Sequence, residues 1–191
     1  MDKPLLYFKN DTAWREWLHE NHDTYTGVYL VFYKVASKEP SMRWEEAVKV
    51  ALCYGWIDST VKKIDDQRRK QHFTPRKNKS VWSKLNKTYI EQLTLDNLIH
   101  ASGIKSIEIG KSNGSWDALN DVDNEVIPLE LQIAFSNNPI AFENYKNFAP
   151  SYRKGYLYWL HSAKREATRQ KRIAIIIELC AANKKQQDGT W

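Results

Sequence analysis

Cysteine and glycine are scarce in this chain, with two of the first and seven of the second in 191 residues. Scattered glycines leave no Gly-rich phosphate loop, and no Gly-x-Ser-x-Gly elbow presents a nucleophile. Cys53 and Cys180 lie far apart in apolar helical contexts, with no Cys-x-x-Cys. That spacing excludes a disulfide framework and a thiolate zinc site, and reads as two buried thiols in a reducing compartment. No stretch approaches the roughly 20 apolar residues of a spanning helix. The opening Met1-Asp2-Lys3-Pro4-Leu5-Leu6 also lacks the apolar core of a signal peptide. The expectation is a cytoplasmic protein that does not insert into a membrane. Internal repeats and low-complexity tracts are absent as well.

Large side chains are abundant. Hydrophobic residues make up 42% and aromatics 13% of the chain, including eight Trp and ten Tyr, so a real core forms without staples. The net charge of +6 is concentrated: residues 61–87 hold ten Lys and Arg against Asp65 and Asp66, leaving the remainder of the chain at −2. Any long-range attraction for an anion is therefore centred on that segment.

The hydropathy pattern predicts strands early and helices late. Leu5–Phe8 reads as a short strand, followed by a helix capped by Asn10 or Asp11 with Trp14, Trp17 and Leu18 on one side. Val28–Tyr33 is an unbroken β-branched and aromatic run, which predicts a central strand covered on both faces. Ser41 is suited to cap a helix carrying Trp44, Ala47, Val48, Ala51 and Leu52, and Gly55 stands where that helix should stop. Trp56–Ile64 and Arg68–Thr74 then form a hairpin around Asp65-Asp66-Gln67. Pairing Ile64 with Arg68 places Ile57, Val61 and Phe73 on one face. It places Trp56, Asp58, Thr60, Lys62, Lys70, His72, Thr74 and Arg76 on the other. Short helices are expected over 81–86, 88–95 and 99–111, and an acidic connecting loop over 115–127. Further helices are expected from Pro128, from Pro139, around Tyr152–Leu160, and over 165–183. The fold class is α+β: a small, largely antiparallel sheet with packed helices, then a helical C-terminal half. Residues 1–115 make the α+β region with its basic hairpin and loop, and 116–191 the helical region, the two forming one structural unit.

Few residues suggest chemistry. His19-x-x-His22 could offer two imidazoles from a helix end, but nothing near it in sequence completes a metal site, and cationic rings suit a helix C-terminus anyway. His72, His100 and His161 stand alone. Asp65-Asp66 is a turn. No catalytic set is assigned, and no metal or cofactor is expected. The informative stretch is 72–87, where Arg76, Lys77, Lys79, Lys84 and Lys87 surround Trp82. It reads either as an anion site with the indole as a stacking surface, or as a solvated basic loop leading to a helix whose Trp82 and Leu85 are core.

Several segments carry a family resemblance. They are Ala51-Leu52-Cys53-Tyr54-Gly55-Trp56-Ile57-Asp58-Ser59, Phe73-Thr74-Pro75-Arg76-Lys77 and Val81-Trp82-Ser83-Lys84-Leu85-Asn86. Tyr152-Arg153-Lys154 and the Ala163–Ile173 stretch with Arg165, Arg169 and Arg172 join them. Together they resemble the YdeI/OmpD-associated family, also labelled bacteriocin-protection proteins, across nearly the whole chain. The resemblance implies a bacterial protein that helps withstand bacteriocins or cationic antimicrobial peptides, and supplies no reaction or catalytic residue set.

The expectation is a non-enzymatic, stress-protective binding protein that engages an anionic ligand through residues 56–87. The candidate ligand residues are Trp56, Asp58, Arg76, Trp82, Lys84 and Asn86, lining one concavity. The basic patch around them comprises Lys62, Lys63, Arg68, Arg69, Lys70, Lys77, Lys79 and Lys87. Two rival readings remain: a nucleic-acid binder using the basic 61–87 segment, and an enzyme using Asp58 with Arg76 on a small organic anion.

Overall fold

The computed structural model describes residues 3–185. The chain divides into two compact units, one ending at Asp117 and the other beginning at Ala118.

The first unit runs β1 (Leu5–Tyr7), α1 (Asp11–Asn21), β2 (Val28–Tyr33), α2 (Trp44–Cys53), β3 (Trp56–Lys63), β4 (Arg68–Pro75), α3 (Lys84–Leu95) and α4 (Ala101–Ser112). The four strands form one sheet in the order β1-β2-β4-β3. β1 pairs parallel to β2, while β2–β4 and β3–β4 are antiparallel. The fold class is therefore α+β, with a mixed sheet in this half and helices in the other.

Local chemistry sets the helix ends. Asn10 accepts the amide of Ala13 at 3.0 Å and caps α1. α2 begins at Trp44 and not at Ser41: Glu46 accepts the Arg43 amide at 2.7 Å, while the Ser41 hydroxyl accepts the Tyr33 amide at 3.1 Å and so ties down the end of β2. Gly55 ends α2 with φ +74°, a conformation that costs glycine little. The helix expected in two pieces over 81–95 is one helix, α3, capped by Ser83. Gly110 on α4 lies so close to Trp82 that a Cβ would sit 2.5 Å from the indole nitrogen.

The hairpin corrects the expected register. Near the turn, Val61 faces Gln71 and Lys62 faces Lys70, the pairing that Ile64 opposite Arg68 demands. Between Asp58 and Val61 the register shifts by one residue, and beyond it Asp58 faces Phe73, Ile57 faces Thr74 and Trp56 faces Pro75. The expected grouping of Ile57 with Phe73 is overturned. A uniform register puts Trp56 and Phe73 on opposite faces. One extra residue in β3 lets both enter the core, with Trp56 1% and Phe73 0% exposed.

β2 is central but not covered alike on both sides. Val28, Leu30 and Phe32 enter the core with Trp14, Leu18, Ala47, Val48, Ala51 and Leu52, whereas Tyr29 and Tyr33 stay half-buried on the other face. Trp14 stands against Phe73 and Trp56 with ring centroids 5.9 and 6.3 Å apart, an edge-to-face arrangement. The indoles of Trp14 and Trp56 are satisfied, the first donating to the Ala47 carbonyl at 3.2 Å and the second to the His22 carbonyl at 3.0 Å.

The second unit is helical: α5 (Asn120–Asp123), α6 (Leu129–Ser136), α7 (Pro139–Asn147), α8 (Pro150–His161) and α9 (Glu166–Ala181). The stretch expected as a loop over 115–127 therefore contains a short helix. Its core holds Leu131, Phe135, Ala141, Tyr145, Tyr156, Leu160, Ile173, Ile176 and Cys180. Three motif arginines act as clamps here. Arg153 reaches Glu125 at 2.5 Å and the Phe148 carbonyl at 2.7 Å, and Arg169 reaches Glu130 at 3.0 Å. Arg172 binds the Trp159 carbonyl and the Ser162 hydroxyl. Among the described residues no helix is long and apolar enough to cross a membrane.

Candidate functional site

The six residues expected to share one concavity do not share it. Trp56 and Trp82 are each 1% exposed; the first belongs to the α1–α2 core, and the second packs on Gly110 and Trp116. Lys84 is exposed on the first turn of α3, where Asn86 gives its amide to the Ser83 cap. Leu85, read as core, is 45% exposed. Asp58 and Arg76 do meet at a cleft of about 820 Å³ at the end of the hairpin. The bulge explains the rest: it turns Trp56 inward and leaves Ile57, Ser59, His72 and Thr74 to form the floor.

Asp58 does not orient the Arg76 fork. Its Oδ2 accepts the Trp44 indole N–H at 2.9 Å and the Gln71 side-chain amide, fastening α2 to the sheet, and it acts on Arg76 only at longer range. Arg76 stacks on Trp82, its guanidinium carbon 3.7 Å from the ring centre, and donates through Nη1 to the Val81 and Ser80 carbonyls at 3.0 and 3.3 Å. It closes the 76–82 loop as a clasp. Its Nε and Nη2 are buried without a protein partner. Burial lowers its pKa to about 10, with Asp58 opposing that shift.

Residues that the sequence did not mark complete the cleft. Lys3 Nζ lies 2.7 Å from His72 Nε2, and His72 Nδ1 lies 3.1 Å from the Ser59 hydroxyl. Burial, and then the Lys3 ammonium, hold His72 below its ordinary pKa, which favours the neutral ring. Nε2 then accepts from Lys3, and Nδ1–H donates to Ser59. Asp23, Thr24 and Thr74 line the same space, together with Lys77 of the expected basic patch. Lys3 comes from the residues before β1 and Asp23 from the α1–β2 loop. No local spacing signals that they meet the hairpin.

The basic patch disperses. Lys77 reaches the cleft, and Lys79 is exposed on the following loop. Arg68 pairs with Asp65 at 2.7 Å and Lys63 with Asp66 at 2.5 Å. Lys62 and Lys70 share the face of Tyr29, and Arg69 lies on the opposite face, 5.0 Å from the Phe32 ring. Lys87 donates to the Trp116 carbonyl at 3.2 Å. Elsewhere in this unit His22 and His100 bring their rings to 4.9 Å, with His19 5.9 Å from His100 and Tyr54 stacked on it. No group of three His, Cys, Asp or Glu among the described residues could hold a metal ion.

Comparison with known families divides the chain in the same order. Residues 6–106, more than half of it and all four strands except Leu5, match the model of the family described as domain of unknown function (DUF8412). The chain belongs to that family. Residues 125–183 match the model of the family described as Bacteriocin-protection, YdeI or OmpD-Associated. The resemblance expected along nearly the whole chain is thus shown for the helical part alone. The Gly55-Trp56-Ile57-Asp58 and Trp82-Ser83-Lys84 segments fall inside the other match. No curated protein and no solved structure matched.

Proposed function

We propose that this protein is a protective binding protein of the bacteriocin-protection kind, which holds a small anion in the β3–β4 cleft and performs no reaction on it. The protective part of the reading is supported by the match over residues 125–183. The binding part is carried by one observation: Lys3, Arg76 and Lys77 line one cleft with the Ser59, Thr24 and Thr74 side chains, and two buried nitrogens of Arg76, Nε and Nη2, have no protein partner. Of the two acids there, Asp58 is engaged by two donors. Hydrogen-bond polarity supports reading Ser59 as a ligand contact and not as a nucleophile. A nucleophilic hydroxyl must donate to its base, yet His72 faces a lysine ammonium with Nε2 and so gives its own proton to Ser59. The free, buried Cys53 and Cys180 suit a reducing compartment, so the cytoplasm is the place proposed.

Titration calorimetry with phosphate and with citrate tests the binding. Lys77→Ala, an exposed residue, should weaken binding at least tenfold with an unchanged melting temperature. Arg76→Ala should lower both affinity and melting temperature, because it also opens the 76–82 clasp. Heat from neither anion would end the reading. Expression of the wild type and of Lys77→Ala in a bacteriocin-sensitive bacterium tests protection, with survival gained from the first alone.

A further inference from the structure

The sheet face turned away from α1 and α2 carries a second set of residues. Along β1 it presents Leu5 and Tyr7, and along β2 Tyr29, Val31 and Tyr33. Along β4 it presents Arg68, Lys70, His72 and Thr74, and along β3 Ile57, Ser59 and Lys62. No strand position on this face holds a carboxylate. Tyr7 and Tyr33 meet edge-on with ring centres 5.4 Å apart, and Tyr29 lies 4.9 Å from the His72 ring with Lys70 Nζ 4.8 Å from its centre. Tyr7 is 38% and Leu5 55% exposed.

Two features set this face apart from an ordinary solvated one. Lys62 and Lys70 stand directly opposite each other, a like-charge pair that weakens a hairpin. β3 is an edge strand, so Lys62 alone is accounted for as a guard against edge pairing. Lys70 is on an interior strand, where a β-branched residue would pack better. Tyrosines also occupy the central strand at positions that the core does not use. Aromatic rings on a half-exposed sheet face between cations offer stacking surfaces for bases and counter-charges for phosphates at once.

We propose that this face binds single-stranded nucleic acid, with bases stacked on Tyr29 and on the Tyr7–Tyr33 pair and phosphates held by Lys62, Lys70 and Arg68. Lys70 shifts from the Tyr29 ring to a phosphate when a base takes its place. A duplex buries its bases and offers only its backbone, so the single strand is preferred. Arg68 contributes less than the lysines, because Asp65 already holds it. The residues that hold bases and phosphates lie outside the anion cleft, although the face continues into it through Ile57, Ser59, His72 and Thr74. This binding also moves the nucleic-acid reading from Lys77, Lys79 and Lys84 to the strands.

Fluorescence anisotropy with a labelled twelve-residue oligothymidylate tests it on the full chain. Binding should weaken roughly 20-fold between 50 and 200 mM salt, the expectation for about three phosphate contacts on a single strand. Tyr29→Ala should cost about tenfold, within the range for one lost base stack, and Tyr29→Phe should bind like the wild type. Lys62→Ala with Lys70→Ala should flatten the salt dependence by about two-thirds, while Lys77→Ala leaves the affinity unchanged. Circular dichroism shows that each variant is folded; should Tyr29→Ala unfold, the lysine pair and Tyr29→Phe still decide. No binding of the oligonucleotide, equal binding of the matching duplex, or binding indifferent to the lysine pair would each overturn the proposal.

Discussion

Residues of β4 alternate between two environments. Gln71 and Phe73, 3% and 0% exposed, face α1 and α2, where Gln71 holds the Asp58 carboxylate and Phe73 meets Trp14. Lys70, His72 and Thr74, one step away along the same strand, face outward half-buried. They contact Tyr29, Lys3, Ser59 and the cleft. The inner face is closed: its indoles and its carboxylate each have a partner, and its rings interlock. The outer face is held by weaker contacts that a ligand could exchange, such as a lysine over a ring and an ammonium on an imidazole. One strand thus stabilises the fold with its odd-numbered residues and offers chemistry with its even-numbered ones. The two roles separate cleanly because a strand alternates sides with period two.

The sharpest way to break this contrast is to truncate one residue on each face. Phe73→Ala should destabilise the protein by about 3–5 kcal/mol, the usual range for emptying a buried aromatic site. Tyr29→Ala, on the half-buried outer face, should cost well under half of that. Urea denaturation of the two variants measures the difference, and equal losses would show that the outer face is core as well.

Acid should separate the faces next. His72 on the outer face and His100 behind α2 are both held below their ordinary pKa, in each case first by burial. The Lys3 ammonium adds to this for His72, and the neighbouring His22 and His19 rings act in the same direction on His100, with Tyr54 stacked on it. A histidine whose pKa is lowered on folding binds fewer protons folded than unfolded. Stability is therefore full above the unfolded value near 6.5 and falls as pH drops through it toward the lowered value. The melting temperature should accordingly decline from pH 7.5 to pH 5, before the carboxylates titrate. His100→Asn keeps an acceptor for the Ser102 amide, which His100 Nδ1 now takes at 3.3 Å, and cannot titrate. Combined with His72→Gln, it should flatten the decline. An unchanged slope in the double variant would place the acid sensitivity elsewhere.

How much of this was legible from residues alone depends on the range of the interactions. Period-two and helical spacing revealed the strands, the α1 face and the α9 stripe, because local burial writes those patterns directly. The turn-proximal register was readable as well, since Ile64 opposite Arg68 is set by the loop. The bulge was not. It is stabilised by Trp56 and Phe73 both finding Trp14, and only the assembled core makes that demand. The misplacement of Trp56 in the expected site, and of Asp58 on the face opposite Phe73, followed from the same residue. Arg76 beside Trp82 was correctly marked as a cation next to an aromatic, but whether such a pair clasps a loop or awaits a ligand depends on the Ser80 and Val81 carbonyls. Lys3 is 69 residues from His72, and nothing local links them.

The smallest effect is the most telling about the outer face. Lys62 is exposed on the edge strand and faces Lys70. If the pair exists only to keep the edge soluble, its repulsion is a cost that any charge of either sign at position 62 would serve equally well to guard. Lys62→Glu should then convert repulsion into attraction and raise the melting temperature by about 1–3 °C at low salt. The gain should vanish near 1 M salt, where the screening length shrinks to about 3 Å. The same substitution places a carboxylate among strand positions that hold none, so oligonucleotide affinity should fall further than in Lys62→Ala. A variant that is more stable and binds worse would show that the cation pair is kept for an anion at the expense of the hairpin. A variant that is more stable and binds as well would leave Lys62 as an edge guard, and the phosphate contacts would then have to rest on Lys70 and Arg68 alone.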